Sequence, residues 1–408
     1  MHRSPPTRAA ASARLAAFVA HAGRDYAARR NYDLPDQGHP HVSRLSPYIR
    51  HRIVTEAEVI AAVLDRHSQA QAERFLAEVF WRTYWKGWLE LRPQVWADYI
   101  QGRDRALATT DPDAVLRAET GETDIAAFNG WAHELVNTGY LHNHARMWFA
   151  SIWIFTLRLP WEVGADFFLR HLLDGDPASN TLSWRWVAGL QTPGKHYLAR
   201  ASNIAKFTEG RENPEWRLNT GAAALSGQPH PVIRPLAPLP DPAQGVRTGL
   251  LLTEEDLSPD LSLCGPDVRI VAHAALRSDQ ERSPRPVSPL VAAFTQDAIA
   301  DAMGRLPGPQ GPITHDIADI VTWAADAGLE QIVTAYAPIG PAAAQLRRLQ
   351  KALSGHQIAF VQLRRRWDTL SWPHATHGFF RFKAQIPAII CAEGLSKQEA
   401  FDFPTNRL

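Results

Sequence analysis

Cysteine, excess charge and long apolar runs are all scarce in this chain of 408 residues. The two cysteines, Cys264 and Cys391, are too few for a disulfide framework or a thiolate metal site, so the sequence favours a reducing, cytoplasmic environment. The 43 basic and 42 acidic side chains give a formal net charge of +1, which argues against a polycationic protein. Any nucleic-acid site must therefore be a local groove of arginines.

Membrane-spanning segments are not expected, because no apolar run of sufficient length is free of charges. The first residues contain arginines but no uninterrupted apolar core, and they continue into an amphipathic pattern. We interpret them as folded protein rather than as a signal peptide.

The two halves of the chain differ in kind. Of 14 tryptophans, 11 lie at or before Trp216, and this half reads mainly as helices with short polar breaks. Residues 218–247 are rich in proline and glycine and predict an extended linker. We therefore expect a helical domain over residues 1–217 and a second domain over residues 248–408.

The second domain is predicted to be α/β. Short β-branched runs alternate there with helical stretches, which favours a parallel sheet; the runs lie near 248–253, 268–274, 331–337 and 358–363. No glycine-rich phosphate motif follows the first run, so nothing indicates a nucleotide site in this domain.

The polar stretch from His171 to Trp186 is the most informative in the helical half. It places Asp174, Asp176 and Asn180 close to two indoles directly after an aromatic helical run, which suggests a pocket for a planar polar ligand. A calcium loop is unlikely because its fifth, sixth and twelfth positions are Ala178, Ser179 and Arg185. A capped helix-to-helix connection remains the alternative.

Other polar residues upstream also allow two interpretations. Ser43, Arg44 and Ser46 near a helix start could hold an anion or could simply form a helix cap. Arg146, which we place with His142 and His144 in one strongly apolar helix over 127–161, needs an anionic partner if buried, and Asp174 is the natural candidate. The histidines lack ligand spacing, so no metal is expected.

Taken in order, several motifs together resemble the flavin-binding helical domain of the DNA photolyase and cryptochrome family, over roughly residues 10–210. The motifs are a tyrosine with RRN, SRLSPY, E-x-x-WR, TGYLHNHARM, and LLDGDPASN followed by W-x-W. The resemblance implies an all-helical FAD-binding domain followed by a smaller, Rossmann-like α/β domain.

The resemblance also implies a set of FAD-binding residues. Tyr26 and the Ser43–Ser46 loop match residues that hold the phosphates, while Arg146 and Asp174 match an ion pair over the ring. Asp176 matches a carboxylate on the ring edge, and Asn180 matches an amide beside the redox nitrogen. The complete cofactor set is Tyr26, Ser43, Arg44, Leu45, Ser46, Arg146, Asp174, Gly175, Asp176 and Asn180.

A second set matches the lesion pocket and the electron relay. Glu78 matches the carboxyl group that hydrogen-bonds the damaged base, and Asn143 and Met147 match the lesion side in cyclobutane-dimer enzymes. Trp184 matches a cavity aromatic that is also the flavin-proximal relay member, and Trp161 matches the middle member. The remaining residues assigned to DNA or lesion binding are Trp81, Arg82, Trp85 and Arg200.

The departures from the family pattern concern both ends of the site. Phe75 stands where a tryptophan usually packs on the lesion, and only Trp96 and Trp153 are candidates for the last relay member. The α/β domain follows the helical domain instead of preceding it. Because TEEDLSP and WPHATHGFFRFKAQIP are similar to the start and end of the usual antenna domain, we expect an exchanged domain order; an unrelated α/β domain is the alternative.

The function implied by the resemblance is light-dependent repair of cyclobutane pyrimidine dimers, a carbon–carbon lyase reaction of a deoxyribodipyrimidine photolyase. The expected cofactor is FAD, with the antenna chromophore unassigned, and the expected partner is UV-damaged DNA in single-stranded or locally opened form. The alternative is a cryptochrome-like blue-light photoreceptor without repair activity.

Overall fold

The computed structural model describes residues 5–395. Within that range the helical half contains twelve α-helices, and α4, for example, begins at a capping box formed by Thr55 and Glu58. The helices are α1 Arg8–Val19, α2 Arg24–Arg29, α3 Ser46–Arg50, α4 Glu56–Arg66, α5 Gln69–Glu90, α6 Gln94–Thr109, α7 Pro112–Thr120, α8 Ala126–Thr138, α9 Asn143–Ser151, α10 Trp161–His171, α11 Pro177–Ala188 and α12 Ala201–Phe207.

The expectation of one apolar helix over residues 127–161 is wrong. Helix α8 ends at Thr138 because Gly139 adopts a left-handed conformation with φ of 67°. His142 lies outside the helix as the N-cap of α9, and its side chain accepts a hydrogen bond from the backbone of His144. A π-helical turn, Ile152–Thr156, then follows α9. The break turns the start of α9 toward the polar site described below.

The α/β domain is built on a parallel five-stranded sheet, as predicted. Its strand order is β3-β2-β1-β4-β5, and the strands are β1 Thr248–Leu252, β2 Ile270–Leu276, β3 Gln310–Thr314, β4 Gln331–Ala335 and β5 Ala359–Leu363. Three helices lie between consecutive strands: α13 Pro289–Gly304, α14 Ile317–Asp326 and α15 Pro341–Ser354.

Strand β3 was not predicted from the sequence. It contains Pro312 and lacks a continuous apolar run, which obscures a strand pattern. The strand lies at the edge of the sheet, where a missing backbone N–H group is tolerated. The sheet therefore gains a fifth strand without changing its predicted parallel class.

The chain returns to the helical half after β5. Three further helices follow the sheet, α16 Arg366–Ser371, α17 Phe379–Lys383 and α18 Ile386–Ala392; α16, α17 and the turn at Trp372–His374 all contact α5. Trp367 donates a hydrogen bond from Nε1 to Thr83 Oγ1 at 3.0 Å. One apolar cluster includes residues from α4, α13 and α18, so the two halves share a core.

The linker also follows the helical surface. The backbone N–H of Leu225 donates to the carbonyl of Ala188, and that of Arg234 donates to the carbonyl of Leu91. Among residues 5–395, no helix is both long enough and apolar enough to cross a lipid bilayer.

The contact between α5 and Trp372 is tight enough to test. A Cβ atom added at Gly87 would lie 2.8 Å from Trp372 Cδ1 and 2.9 Å from its Cα. We expect Gly87→Ala to lower the free energy of unfolding by about 1–3 kcal/mol in urea titration, since the core cannot accept the methyl group.

Gly130→Ala is the matched control for this substitution. Gly130 lies in α8, and an added Cβ would meet no atom within 4 Å. Alanine should stabilise this helix by up to about 1 kcal/mol because it restricts the unfolded backbone. Equal effects at the two glycines would contradict the tight interface with Trp372.

Candidate functional site

The His171–Trp186 stretch forms both a capped helix connection and a buried polar site. Asp176 is the N-cap of α11 and accepts a hydrogen bond from the backbone N–H of Ser179 at 2.7 Å. The side chain of Asn180 donates to the carbonyl of Ala165 at 2.7 Å, which fixes the first turn of α11 against α10. The two interpretations left open by the sequence are therefore compatible.

Asp174 has the cationic partner expected for it, Arg146, whose side chain is half-buried. Arg146 donates from Nη2 to Asp174 Oδ2 at 3.0 Å and from Nε to the carbonyl of Leu141 at 2.8 Å. Burial opposes ionisation of Asp174, but Arg146, Arg82 and a hydrogen bond from Ser46 outweigh it and lower the pKa of the carboxyl group. Asp174 is therefore a fixed negative charge between α9 and the Ser43–Ser46 loop.

Asp176 is surrounded by three cations. Its Oδ2 lies 3.5 Å from Lys86 Nζ, 3.7 Å from Arg50 Nε and 3.8 Å from Arg82 Nη1. Burial raises the pKa of Asp176, and these cations lower it further than burial raises it, so the net direction is well below the ordinary value.

Arg50 and Lys86 were missed in the sequence analysis. Lys86 lies one helical turn after Arg82 in α5, so both can point at the same carboxylate. Arg50 ends the short helix that starts at Ser46, and its Nε donates to the carbonyl of Gly175 at 2.9 Å. The sequence did contain a signal for both residues, because Lys86 lies four positions after Arg82 and Arg50 lies four positions after Ser46, which places each pair on one helix face.

The α/β domain supplies a third carboxylate, Glu255. Its two oxygens accept hydrogen bonds from Arg50 at 2.6 and 2.7 Å, and Oε2 lies 3.9 Å from Lys86 Nζ. We call the connected set the charge network: Arg50, Arg82, Lys86, Arg146, Asp174, Asp176 and Glu255. It contains four cations and three carboxylates, which leaves one positive charge.

The charge network fits an anionic, hydrogen-bonding ligand. Three buried atoms of the network have no hydrogen-bond partner within residues 5–395: Lys86 Nζ, Arg82 Nη1 and Asp174 Oδ1. Outside the network, Trp184 Nε1 is also buried and has no hydrogen-bond partner in that range. Buried polar atoms of native proteins are normally paired. Donors, an acceptor and a surplus positive charge suit the polar edge of a reduced, anionic flavin ring.

The phosphate-loop candidates lie beside this network. Arg44 has a positive φ of 51°, and the backbone N–H of Leu45 donates to Ser43 Oγ at 3.2 Å. The Arg44 guanidinium carbon lies 5.1 Å from the ring centroid of Tyr140, and that of Arg146 lies 6.0 Å from it. The loop and the ring-side ion pair are therefore close, as the resemblance implies.

The side chain of Tyr26, which is predicted to contact the FAD phosphates, is buried. Its ring packs edge-on against Phe18 and Phe75, at centroid distances of 5.9 and 5.2 Å. Burial is the main cause of a strongly raised pKa for its hydroxyl group, which therefore stays protonated as a hydrogen-bond donor.

Glu78 lies on α5 and pairs with Arg30. Burial raises the pKa of Glu78, while Arg30 partly offsets this effect. A carboxyl group with a raised pKa can be protonated and donate a hydrogen bond. Trp81, one turn later, stacks on Phe379 with ring centroids 3.7 Å apart, so α17 covers one face of this predicted lesion-side aromatic.

The remaining lesion candidates differ in exposure. Asn143 is exposed at the start of α9, Met147 is half-buried one turn later, and Arg200 is exposed as the N-cap of α12. Trp85 is buried and contacts Trp81 with centroids 5.1 Å apart. The structure thus places Asn143 and Met147 on adjacent turns of one helix.

The two relay candidates have different aromatic neighbours. Trp184 contacts Phe168 and Trp153, with centroid distances of 5.1 and 6.3 Å. Trp161 instead contacts Tyr99 at 5.7 Å, and Tyr99 contacts Trp96 at 5.2 Å. Of the two candidates for the last relay member, Trp153 therefore contacts Trp184 directly, and Trp96 is connected to Trp161 through Tyr99.

A group of potential metal ligands lies apart from the charge network. Asp33, His39 and Glu134 have ligand atoms within 4.8 Å of one another. Arg211 already pairs with Asp33, and His39 Nε2 lies 2.9 Å from Glu134 Oε1, while Asp33 Oδ1 and His39 Nδ1 have no hydrogen-bond partner among the described residues. The absence of a metal stays a prediction.

Comparison with known proteins agrees with this geometry. Residues 75–214 match the family model described as the FAD binding domain of DNA photolyase, and this region contains most of α5 and the charge-network residues from Arg82 to Asp176. This region is therefore an FAD-binding domain. Over this part of its length, the chain is similar to the DNA photolyase and cryptochrome family.

The similar curated proteins are bacterial enzymes named deoxyribodipyrimidine photo-lyase. The protein from Streptomyces griseus is 35% identical over 211 residues, covering 47% of this chain and 46% of the relative. A protein from Thermus thermophilus is 32% identical over 182 residues, covering 43% and 41%. The chain thus spans less than half the length of these relatives.

Two solved structures are similar over about half of this chain. A class III photolyase from Agrobacterium tumefaciens has a TM-score of 0.42 and 25% identity, covering 49% of this chain and 42% of the other. A cryptochrome from Synechocystis sp. PCC6803 has a TM-score of 0.42 and 20% identity, covering 49% and 43%.

The buried histidine at the start of α9 predicts acid sensitivity. Burial, with smaller effects from His39 and His144, lowers the pKa of His142 to about 3, against about 6.5 in an unfolded chain. Between those values the unfolded chain binds a proton that the folded protein excludes, so stability is complete above about pH 6.5 and falls as pH decreases.

We expect the urea midpoint to be lower at pH 5 than at pH 7, and His142→Asn to reduce this difference while keeping a helix cap. His374→Asn, at an exposed position, is the control and should retain the full difference. An undiminished pH effect in His142→Asn would contradict the assignment of His142.

Proposed function

We propose that this protein repairs cyclobutane pyrimidine dimers in DNA under blue light. The observation that carries the proposal is the charge network, five of whose seven residues lie in the region that matches the photolyase FAD-binding domain, because its surplus positive charge suits a reduced flavin. Reduced FAD, once excited, supplies the electron that splits the dimer and receives it back. The chain must then bind the cofactor, orient the lesion and exclude water.

The site residues divide these tasks. Arg146 and Asp174 orient the ring side of the cofactor, and Asp176 is held as a carboxylate by Lys86, Arg50 and Arg82. Burying these charges removes competing water and strengthens their interaction with a ligand. The Ser43–Ser46 loop and Tyr26 are the proposed phosphate side.

Lesion recognition is assigned to α5 and α9. Glu78, favoured in its protonated form by burial, can donate to a carbonyl oxygen of the damaged base. Asn143 and Met147 present an amide and an adaptable thioether on adjacent turns of α9. A flipped-out dimer would enter between these helices, and single-stranded or locally opened DNA presents one at the lowest unstacking cost.

A blue-light photoreceptor is the second candidate function. The observation that favours it is Phe75, which is 3% exposed and enclosed by Phe18 and Tyr26. Its ring therefore cannot contact a lesion as the tryptophan expected at this position would. Under this alternative, the same cofactor site would change redox state and alter a partner interaction.

The domain order is also part of the proposal. We infer that the α/β domain is an antenna-type domain placed after the helical domain, over residues 248–408, with 1–217 helical and 218–247 as the linker. Support comes from the parallel order β3-β2-β1-β4-β5 and from the return of α16 and α17 to α5. The antenna chromophore stays unassigned.

The first test measures absorbance of the FAD-loaded protein with a reductant and dimer-containing oligothymidine under blue light. Recovery of thymine absorbance is the expected result and supports repair. Flavin bands that bleach and recover without a gain in thymine absorbance would favour the photoreceptor, and failure to bind FAD would contradict both.

Substitutions in the lesion pocket should separate repair from cofactor binding. We expect Glu78→Ala and Asn143→Ala each to lower repair per absorbed photon by about tenfold or more, since each removes a hydrogen bond to the lesion, while bound flavin per chain is unchanged. Asn137→Ala, at an exposed position in α8, is the matched control and should repair normally. Normal repair in both pocket variants would contradict the assigned pocket.

The relay can be tested apart from repair. We expect Trp161→Phe to slow reduction of the oxidised flavin by light and an external reductant by about tenfold or more, because phenylalanine is harder to oxidise than tryptophan. Repair by chemically pre-reduced protein should be unchanged. Trp216→Phe is the control, because Trp216 is 99% exposed. Normal photoreduction in Trp161→Phe would exclude Trp161 from the relay.

A further inference from the structure

Glu255 connects the α/β domain to the proposed flavin site. It lies directly after β1, outside the region matched by the photolyase family model, and is 4% exposed. Both of its carboxylate oxygens bind Arg50, at 2.6 and 2.7 Å. A two-point arginine–carboxylate pair of this kind fixes orientation as well as charge.

Arg50 passes this constraint to the cofactor side. Its Nε donates at 2.9 Å to the carbonyl of Gly175, the residue between Asp174 and Asp176. The same guanidinium lies 3.7 Å from Asp176 Oδ2. The position of Glu255 therefore determines where Arg50 holds the backbone of the DGD segment.

Lys86 provides a second connection. Its ammonium group is 1% exposed and lies between Asp176, at 3.5 Å, and Glu255, at 3.9 Å. Lys86 Nζ has no hydrogen-bond partner among the described residues. Without the charge of Glu255, Asp176 would be the one carboxylate of the charge network paired with Lys86 and Arg50.

We propose that Glu255 is a positioning residue that sets the redox balance of the flavin through Arg50 and Lys86. The α/β domain then contributes a negative charge, that of Glu255, to the flavin site. The inference rests on the proposed function, because it requires FAD to bind beside the DGD segment. Nothing in it requires Glu255 to touch the cofactor.

The sign of the effect follows from the charge count. The charge network has one surplus positive charge with Glu255 ionised and would have two with a neutral residue there. The reduced, anionic form of the flavin gains more from an added positive charge than the neutral oxidised form does. Neutralising Glu255 should therefore raise the midpoint potential of the bound flavin.

The test compares full-length Glu255→Gln with the unaltered protein, each loaded with FAD and equilibrated with a reference dye of known potential. At a fixed ambient potential, we expect the ratio of reduced to oxidised flavin to rise at least tenfold, which for a two-electron couple corresponds to about 30 mV. A ratio within threefold of the unaltered protein would overturn the proposal.

Glu254→Gln is the matched control on the same loop. Glu254 is equally buried, but it accepts hydrogen bonds from Ser278 instead of binding Arg50. Burial raises the pKa of Glu254. Its flavin ratio should stay within threefold of the unaltered protein, and a shift equal to that of Glu255→Gln would overturn a specific role for Glu255.

If Glu255→Gln does not fold, the double variant Arg50→Met/Glu255→Met removes both members of the pair without leaving a buried charge. Three cations and two carboxylates then keep the surplus of one positive charge, so the ratio of reduced to oxidised flavin should stay within threefold of the unaltered protein, and a tenfold rise would overturn the proposal. If the unaltered protein repairs dimers and Glu255→Gln does not change the flavin ratio, the proposed function is supported and the role of Glu255 is contradicted. An unaltered protein that binds no FAD would overturn both.

Discussion

The burial of Asp176 beside Asp174 is the constraint on which the structure of the site depends. Two carboxylates separated by one glycine cannot both remain ionised in a protein interior unless cations surround them. Arg146, Arg82, Lys86 and Arg50 meet this requirement from three different helices. The start of α11, the break before α9 and the register of α5 all follow from bringing those cations to one place.

The same constraint explains why the two domains are joined by charged groups as well as by apolar packing. The guanidinium of Arg50 donates hydrogen bonds to two acceptors, the carbonyl of Gly175 and the carboxylate of Glu255. Without Glu255, the buried guanidinium would keep only the neutral carbonyl of Gly175 and a carboxylate 3.7 Å away, that of Asp176. The loop after β1 therefore contributes Glu255 to the interior of the helical domain.

The sequence predicted the classes of both domains, because tryptophan density, the proline-rich linker and alternating strands and helices are local signals. It also identified Arg146 with Asp174, since a buried arginine needs an anion. It missed Arg50, Lys86 and Glu255, whose roles depend on contacts across as many as 205 positions of chain. The break at Gly139 was missed because apolar residues continue on both sides of it, and β3 was missed because Pro312 interrupts its pattern.

The return of α16 and α17 to α5 has a consequence for how the protein is made. The core that contains Val59 from α4 also contains Ile389 from α18, more than three hundred residues later. The helical half therefore leaves the ribosome with an apolar face of α5 uncovered, and that face stays open until the entire α/β domain has been synthesised. Contacts of such long sequence separation form late and slowly. An apolar surface therefore stays exposed during synthesis, even though the first half contains most of the proposed cofactor site.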